Sequence, residues 1–167
     1  MKKIIFILFV VFFSVNAFSQ INVNPYFSVG YLNHMGRNGY NVELGADREV
    51  QRFVDVSANA RFSWCDSDLR YNNQTIVMAL ALNVSFIALN NEKMRLMVGP
   101  GLSYGNYQRH TAYVGIEKNG KTLWIDYAKV RFDYKIDTKT SVGMIVALYG
   151  DGGKTAIMAG FLASFKL

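Results

Sequence analysis

Eight segments of alternating apolar and polar residues predict an all-β chain, an eight-stranded antiparallel up-and-down transmembrane β-barrel. Two further observations point the same way. The connections between the segments alternate between long and short, and bulky aromatic residues gather at the segment ends.

The segments run in order along the chain. In the first, Phe27, Val29 and Tyr31 alternate with Ser28 and Gly30; in the second, Tyr40, Val42, Leu44 and Ala46 alternate with Asn41, Glu43, Gly45 and Asp47. The third is the cleanest. Val54, Val56, Ala58, Ala60, Phe62 and Trp64 form one wholly apolar face, against Asp55, Ser57, Asn59, Arg61 and Ser63 on the other. In the fourth, Ile76 to Phe86 at every second position oppose Thr75, Ala79, Ala81, Asn83 and Ser85; in the fifth, Leu96, Val98, Pro100, Leu102 and Tyr104 oppose Arg95, Gly99, Gly101, Ser103 and Gly105. The sixth starts at Ala128, with Val130, Phe132, Tyr134 and Ile136 opposing Lys129, Arg131, Asp133 and Lys135. The seventh sets Val142, Met144, Val146 and Leu148 against Ser141, Gly143 and Ala147. The eighth sets Ile157, Ala159, Phe161, Ala163, Phe165 and Leu167 against Gly160, Ser164 and Lys166.

Odd connections are expected at 33–38, 65–73, 106–121 and 150–154, and tight even turns at 48–51, 90–92 and 137–140. Membrane barrels have short turns at the end that carries the termini and longer loops at the other. Asn90-Asn91 and Asp151-Gly152-Gly153 have turn chemistry, and Asn119-Gly120 is a hairpin turn signal within the longest loop, so strands five and six are expected to continue above the membrane.

The N-terminus is expected to be separate. Lys2 and Lys3 precede an apolar run from Ile4 to Val15, and Ala17 and Ser19 stand where a signal peptidase reads small residues. This predicts a cleaved secretory signal at 1–19 and a barrel domain at 20–167. The run is too short for a spanning helix, which needs about 18–20 apolar residues. The single cysteine, Cys65, excludes an internal disulfide, so a closed hydrogen-bonded sheet is the expected source of rigidity; Cys65 itself is expected at the start of the second outer loop. The formal net charge of +6 is spread along the chain, and an exported protein with no basic cluster is a poor nucleic-acid binder.

Alternation alone fits a soluble barrel as well, with the apolar face inward. Three features favour the membrane. Tyr31, Tyr40, Trp64 and Tyr104 lie at one end and Phe27, Phe86, Tyr134 and Phe165 at the other, as two interfacial girdles. The opposite face mixes signs with small residues: Glu43, Asp47, Asp55, Arg61, Arg95, Lys129, Arg131, Asp133 and Lys135 are expected to pair across a narrow lumen, among Gly and Ser. The chain also ends in a strand, Gly160 to Leu167, with Phe165 two residues before the end.

These features resemble the small OmpA/OmpX-like outer-membrane barrels, over the whole of 20–167; the signal ending in Ser19 before Gln20, and Val98-Gly99-Pro100-Gly101-Leu102-Ser103-Tyr104-Gly105, resemble members from Bacteroidota. The C-terminal strand resembles the assembly signal of such barrels, which usually ends on an aromatic; this one ends on Leu167. The resemblance implies a Gram-negative outer membrane, lipid and lipopolysaccharide as surroundings, the outer-membrane assembly machinery as a partner in biogenesis, and a monomer that needs no cofactor.

Candidate sites follow. The charged lumen reads as a salt-bridged plug more than a pore, because eight strands enclose little free space. Tyr107, Arg109, His110, Tyr113 and Lys118 on the long loop are candidate surface contacts, through basic and tyrosyl side chains. His34 and His110 lack the convergent partners of a metal site. A lipid A hydrolase would need an activated serine; Ser103 and His110 are near in sequence, but Ser103 is expected to face the lumen. The reading is a non-enzymatic outer-membrane protein that presents loops for a structural, adhesive or envelope-maintenance role. The alternatives are a lipid A-modifying enzyme, a small pore, and a secreted lipocalin-type ligand-binding barrel.

Overall fold

In a computed structural model, described for residues 23–34, 37–68, 73–110, 118–150 and 155–166, eight antiparallel strands close into one barrel. They are β1 (Asn24–His34), β2 (Arg37–Gln51), β3 (Val54–Asp68), β4 (Asn73–Asn90), β5 (Met94–His110), β6 (Lys118–Lys135), β7 (Thr140–Gly150) and β8 (Thr155–Phe165). Every strand pairs with its neighbours in sequence, and β1 pairs with β8 to seal the sheet. The expected signal segment 1–19 lies outside the described residues.

The barrel is tilted. The rung that leaves Tyr31 through Tyr40, Trp64, Ile76 and Gln108 reaches Asn119 on β6, whereas the rung that leaves it through Ala159 and Val146 reaches Val130 on the same strand. Such a stagger is required when a sheet closes on itself.

Inside and outside are reversed relative to a soluble protein. Leu80 and Phe161 are 71% and 73% exposed, while Glu43 and Asp126 are fully buried. A continuous outward band of Leu, Val, Ile, Met and Phe belongs in hydrocarbon, and the closed sheet leaves no strand edge unpaired across that band. The girdles face outward as the alternation predicts: Tyr40 stacks on Trp64 at 6.0 Å at one end, and Phe53 on Phe86 at 6.2 Å at the other. The fold is therefore a transmembrane β-barrel.

Several boundaries differ from the sequence reading. The turn expected at 48–51 lies at Arg52-Phe53, because β2 continues to Gln51 through an irregularity at Glu49/Gln51. Within 106–121 strands five and six continue as the hairpin signal predicts, β5 to His110 and β6 from Lys118. The Asn119-Gly120 pair is not a turn; it pairs with Gln108 and Tyr107. Gly120 is small for another reason: a Cβ there would strike the ring of Tyr107, which lies across it. The upper part of β6 escaped the alternation because the register shifts between Asp126 and Ala128. Above that bulge Leu123, Ile125 and Tyr127 face out, and below it Val130 and Tyr134 do.

Candidate functional site

The lumen has two tiers and a cap. β2 and β3 bring Glu43 and Arg61 to opposing positions on one rung, and their side chains reach across to β6. Arg61 Nε bonds Glu43 Oε1 at 3.1 Å, Arg61 Nη2 bonds Asp126 Oδ2 at 2.8 Å, and Lys129 Nζ bonds Glu43 Oε2 at 2.7 Å. The tier nearer the outer loops is thus a chain of alternating sign, Asp126–Arg61–Glu43–Lys129, with charges balanced. Ser103 Oγ donates to Asp126 Oδ1 at 3.2 Å, and Tyr149 donates to Glu43 Oε1 at 3.0 Å.

The second tier lies nearer the turns. Arg95 bridges Asp55 at 2.7 Å and Asp47 at 3.0 Å; Arg131 bridges Asp47 at 2.8 Å and Asp133 at 2.9 Å. This chain, Asp55–Arg95–Asp47–Arg131–Asp133, ends on a carboxylate at both ends. Tyr26 divides the tiers: Lys129 Nζ donates to its hydroxyl at 3.3 Å, and the Arg131 guanidinium lies 4.6 Å from its ring centroid. Removing a charge from water costs several kcal/mol per ion, so each of these groups is tolerable only because a partner of opposite sign meets it.

The outer end of the lumen is apolar. Leu32, Cys65, Val77, Trp124, Tyr149 and Met158 pack there as one buried cluster, with the rings of Trp124 and Tyr149 6.3 Å apart. On the inner wall, Asn59 and Asn83 have no partner for either amide end among the described residues.

All seven candidate lumen charges, Glu43, Asp55, Arg61, Arg95, Lys129, Arg131 and Asp133, are buried and face one another, and Asp47 joins them. Lys135 does not. It lies at the turn end, where its Nζ bonds Asn90 Oδ1 and Asn91 O. Several members were missed from sequence, Tyr26 and the cap residues Leu32, Val77 and Met158 among them. Asp126 and Trp124 fell above the β6 bulge, and Tyr149 lay beyond the last residues assigned to β7. Cys65 is not a loop thiol; it is a buried residue of β3, opposite Gly39.

The candidate surface contacts are placed differently from the expectation. Tyr107, Arg109 and His110 belong to β5 and Lys118 to β6, so they sit on a rigid ladder and not on a loop; Tyr113 lies outside the described residues. Tyr107 turns inward and packs against the apolar cluster, leaving it half-buried. The outward positions of this region are Asn106, Gln108, Asn119 and Lys121, all exposed. The lipid-facing band therefore stops at Tyr104 on β5 and Leu123 on β6, and the two strands continue beyond it. The neighbouring β7 ends at Gly150, opposite Ile125.

Solved structures with this architecture are found by shape. Neisserial surface protein A aligns with a TM-score of 0.60 at 6% identity, over 87% of this chain and 96% of that one. Ail, the attachment invasion locus protein of Yersinia pestis, aligns with a TM-score of 0.55 at 11% identity, over 87% and 99%. The N-terminal β-barrel domain of Pseudomonas aeruginosa OprF gives 0.54 at 10% identity, over 87% and 98%. The fold is that of the small outer-membrane barrels. At such identities the likeness is one of fold. No family model and no curated protein matches the sequence.

Proposed function

We propose that this barrel is an integral protein of a Gram-negative outer membrane, without enzymatic activity, that presents the upper β5–β6 hairpin as a contact surface outside the cell. The observation that carries the reading is the rise of β5 and β6 past the lipid-facing band into exposed Asn106, Gln108, Asn119 and Lys121. A hydrogen-bonded hairpin on a closed barrel is a stiff platform, and stiff platforms with polar faces suit recognition. The fold likeness to a protein named for attachment and invasion, and to one named a surface protein, supports an adhesive or surface role. The segment from Val98 to Gly105 supports a Bacteroidota-type source, and the basic n-region with its apolar run supports export by a cleaved signal.

The lumen argues against the other readings. Ion pairs and an apolar cap occupy it, which favours a plug over a pore. Ser103 is buried and bonded to Asp126, which makes it a poor nucleophile for a lipid outside. A lipocalin-type lumen would be apolar throughout, and about half of the buried side chains of this one are polar or charged.

The test is cell fractionation followed by loop surgery. The barrel should fractionate with the outer membrane and migrate differently in SDS gels before and after boiling. Replacing residues 107–120 by a two-residue turn should leave that shift intact and abolish binding of cells to host-matrix or envelope ligands. Unchanged binding by the shortened barrel would refute the contact role, and recovery in the soluble periplasm would refute the membrane reading.

A further inference from the structure

We propose that Lys93, Lys135, Lys139 and Lys166, gathered at the turn end of the barrel, form a docking surface for the phosphate headgroups of anionic phospholipids in the leaflet they face. The inference rests on the membrane reading above.

Three connections bring these residues together. Lys135 N donates to Lys93 O at 2.8 Å, which ties the β6 end to the β4–β5 turn; Lys166 N donates to Lys139 O at 2.7 Å, which ties the end of β8 to the β6–β7 turn. The β6–β7 and β7–β8 ladders join the two pairs into one sector of the rim. Lys93, Lys139 and Lys166 are exposed, and Lys135 is half-exposed. Arg48 and Arg52 extend the positive rim at the β2–β3 turn.

The local carboxylates, Asp137, Glu49 and Glu92, offset only part of the charge of these four lysines and two arginines. Asp137 Oδ1 accepts from the backbone N–H of Lys139 at 2.6 Å and of Thr140 at 2.7 Å, so it serves the turn. Glu49 stands 3.8 Å from Arg95 at the mouth of the lumen. Glu92 is the remaining acid of the β4–β5 and β6–β7 turns among the described residues.

Position identifies the occupant. Tyr134, Ile136, Val142 and Phe165 are exposed beside these lysines and continue the lipid-facing band. Ammonium groups at the edge of an acyl-chain surface lie at headgroup level, where long lysine stems reach phosphate while their methylenes stay on apolar ground. Anionic headgroups attract such clusters through their surface potential. A soluble anionic polymer would need none of the adjoining apolar surface.

The test uses the mature barrel refolded in micelles that hold equal amounts of phosphatidylcholine and phosphatidylglycerol, with bound lipid counted by native mass spectrometry. The wild type should retain phosphatidylglycerol over phosphatidylcholine, with the preference falling about fivefold for each lysine replaced by glutamine and weakening with added salt. Equal retention of both lipids by the wild type would overturn the proposal, as would a preference that survives the four glutamine substitutions. Should the fourfold variant fail to close, the single variants and the salt titration of the wild type decide the matter. Cold SDS mobility of the same samples reports barrel closure separately, so a failed membrane reading is distinguished from a failed lipid site.

Discussion

The guanidinium of Arg61 lies over the ring of Tyr149, 3.8 Å from its centroid, and both residues bond the same oxygen, Glu43 Oε1. Strands β2, β3 and β7 are thereby joined through the centre of the barrel. Arg61→Met would leave Glu43 short of one partner and Asp126 without its cation, and should lower unfolding stability in urea by about 3–5 kcal/mol. Tyr149→Phe keeps the ring under Arg61 and removes only the hydroxyl bond to a charged group, so its loss should be about 1.5–3 kcal/mol. Denaturant titration of the refolded barrel compares the two; equal losses would show that the ion pairs of Arg61 hold this tier no more strongly than the single hydroxyl bond of Tyr149 does.

Asn83 behaves in the opposite sense. Both ends of its amide lack a partner among the described residues, and its side chain lies over Gly101. A leucine, branched at Cγ as asparagine is, removes the buried donor and acceptor together. Asn83→Leu should therefore be neutral or stabilising in the same titration. A loss above about 2 kcal/mol would mean that the amide is well satisfied in the folded barrel.

Cys65 is only 4% exposed, within the apolar cap. A maleimide added to the folded barrel should leave it unmodified for hours, and should label it fully once the barrel is boiled in SDS. Rapid labelling of the native protein would place the outer mouth of the lumen open to water.

At the β6–β7 turn, the backbone N–H groups of Lys139 and Thr140 hold the carboxyl of Asp137 below its ordinary value of 3.8. A depressed folded value means that the turn is supported above the ordinary carboxylate range and loses that support as pH falls through it. Carbon-13 titration of Asp137 should give a midpoint under 3.8, with the protection of the Lys139 and Thr140 amides, relative to their intrinsic exchange rates, falling on the acid side. Asp137→Asn should make that protection insensitive to acid.

Alternation made the barrel legible where one face met hydrocarbon and the other met charge. β3 is the clear case, its apolar and polar faces separated from Val54 to Trp64. It was less informative on β7 and β8. Ile145, Tyr149, Met158 and Leu162 point inward there, opposite outward apolar residues, so both faces read alike and the cap went unseen. On β6 one bulge at Tyr127 reversed the parity and hid Trp124 and Asp126. The charged lumen residues were recognisable singly, because charge in a membrane strand has one place to go. Their pairing was not, because it depends on the stagger of the closed sheet, which no local pattern encodes.

The ion pairs of the lumen connect strands far apart along the chain: Glu43 meets Lys129, and Asp47 meets Arg131. A β2–β3 hairpin inserted alone would carry Glu43, Asp47 and Asp55 into the bilayer against Arg61 alone. Only when β6 reaches β2 across the interior do the signs cancel, and that happens as the sheet closes. Partly threaded intermediates are therefore penalised, and the barrel must enter the membrane nearly whole or from a protected setting in which its interior is already assembled.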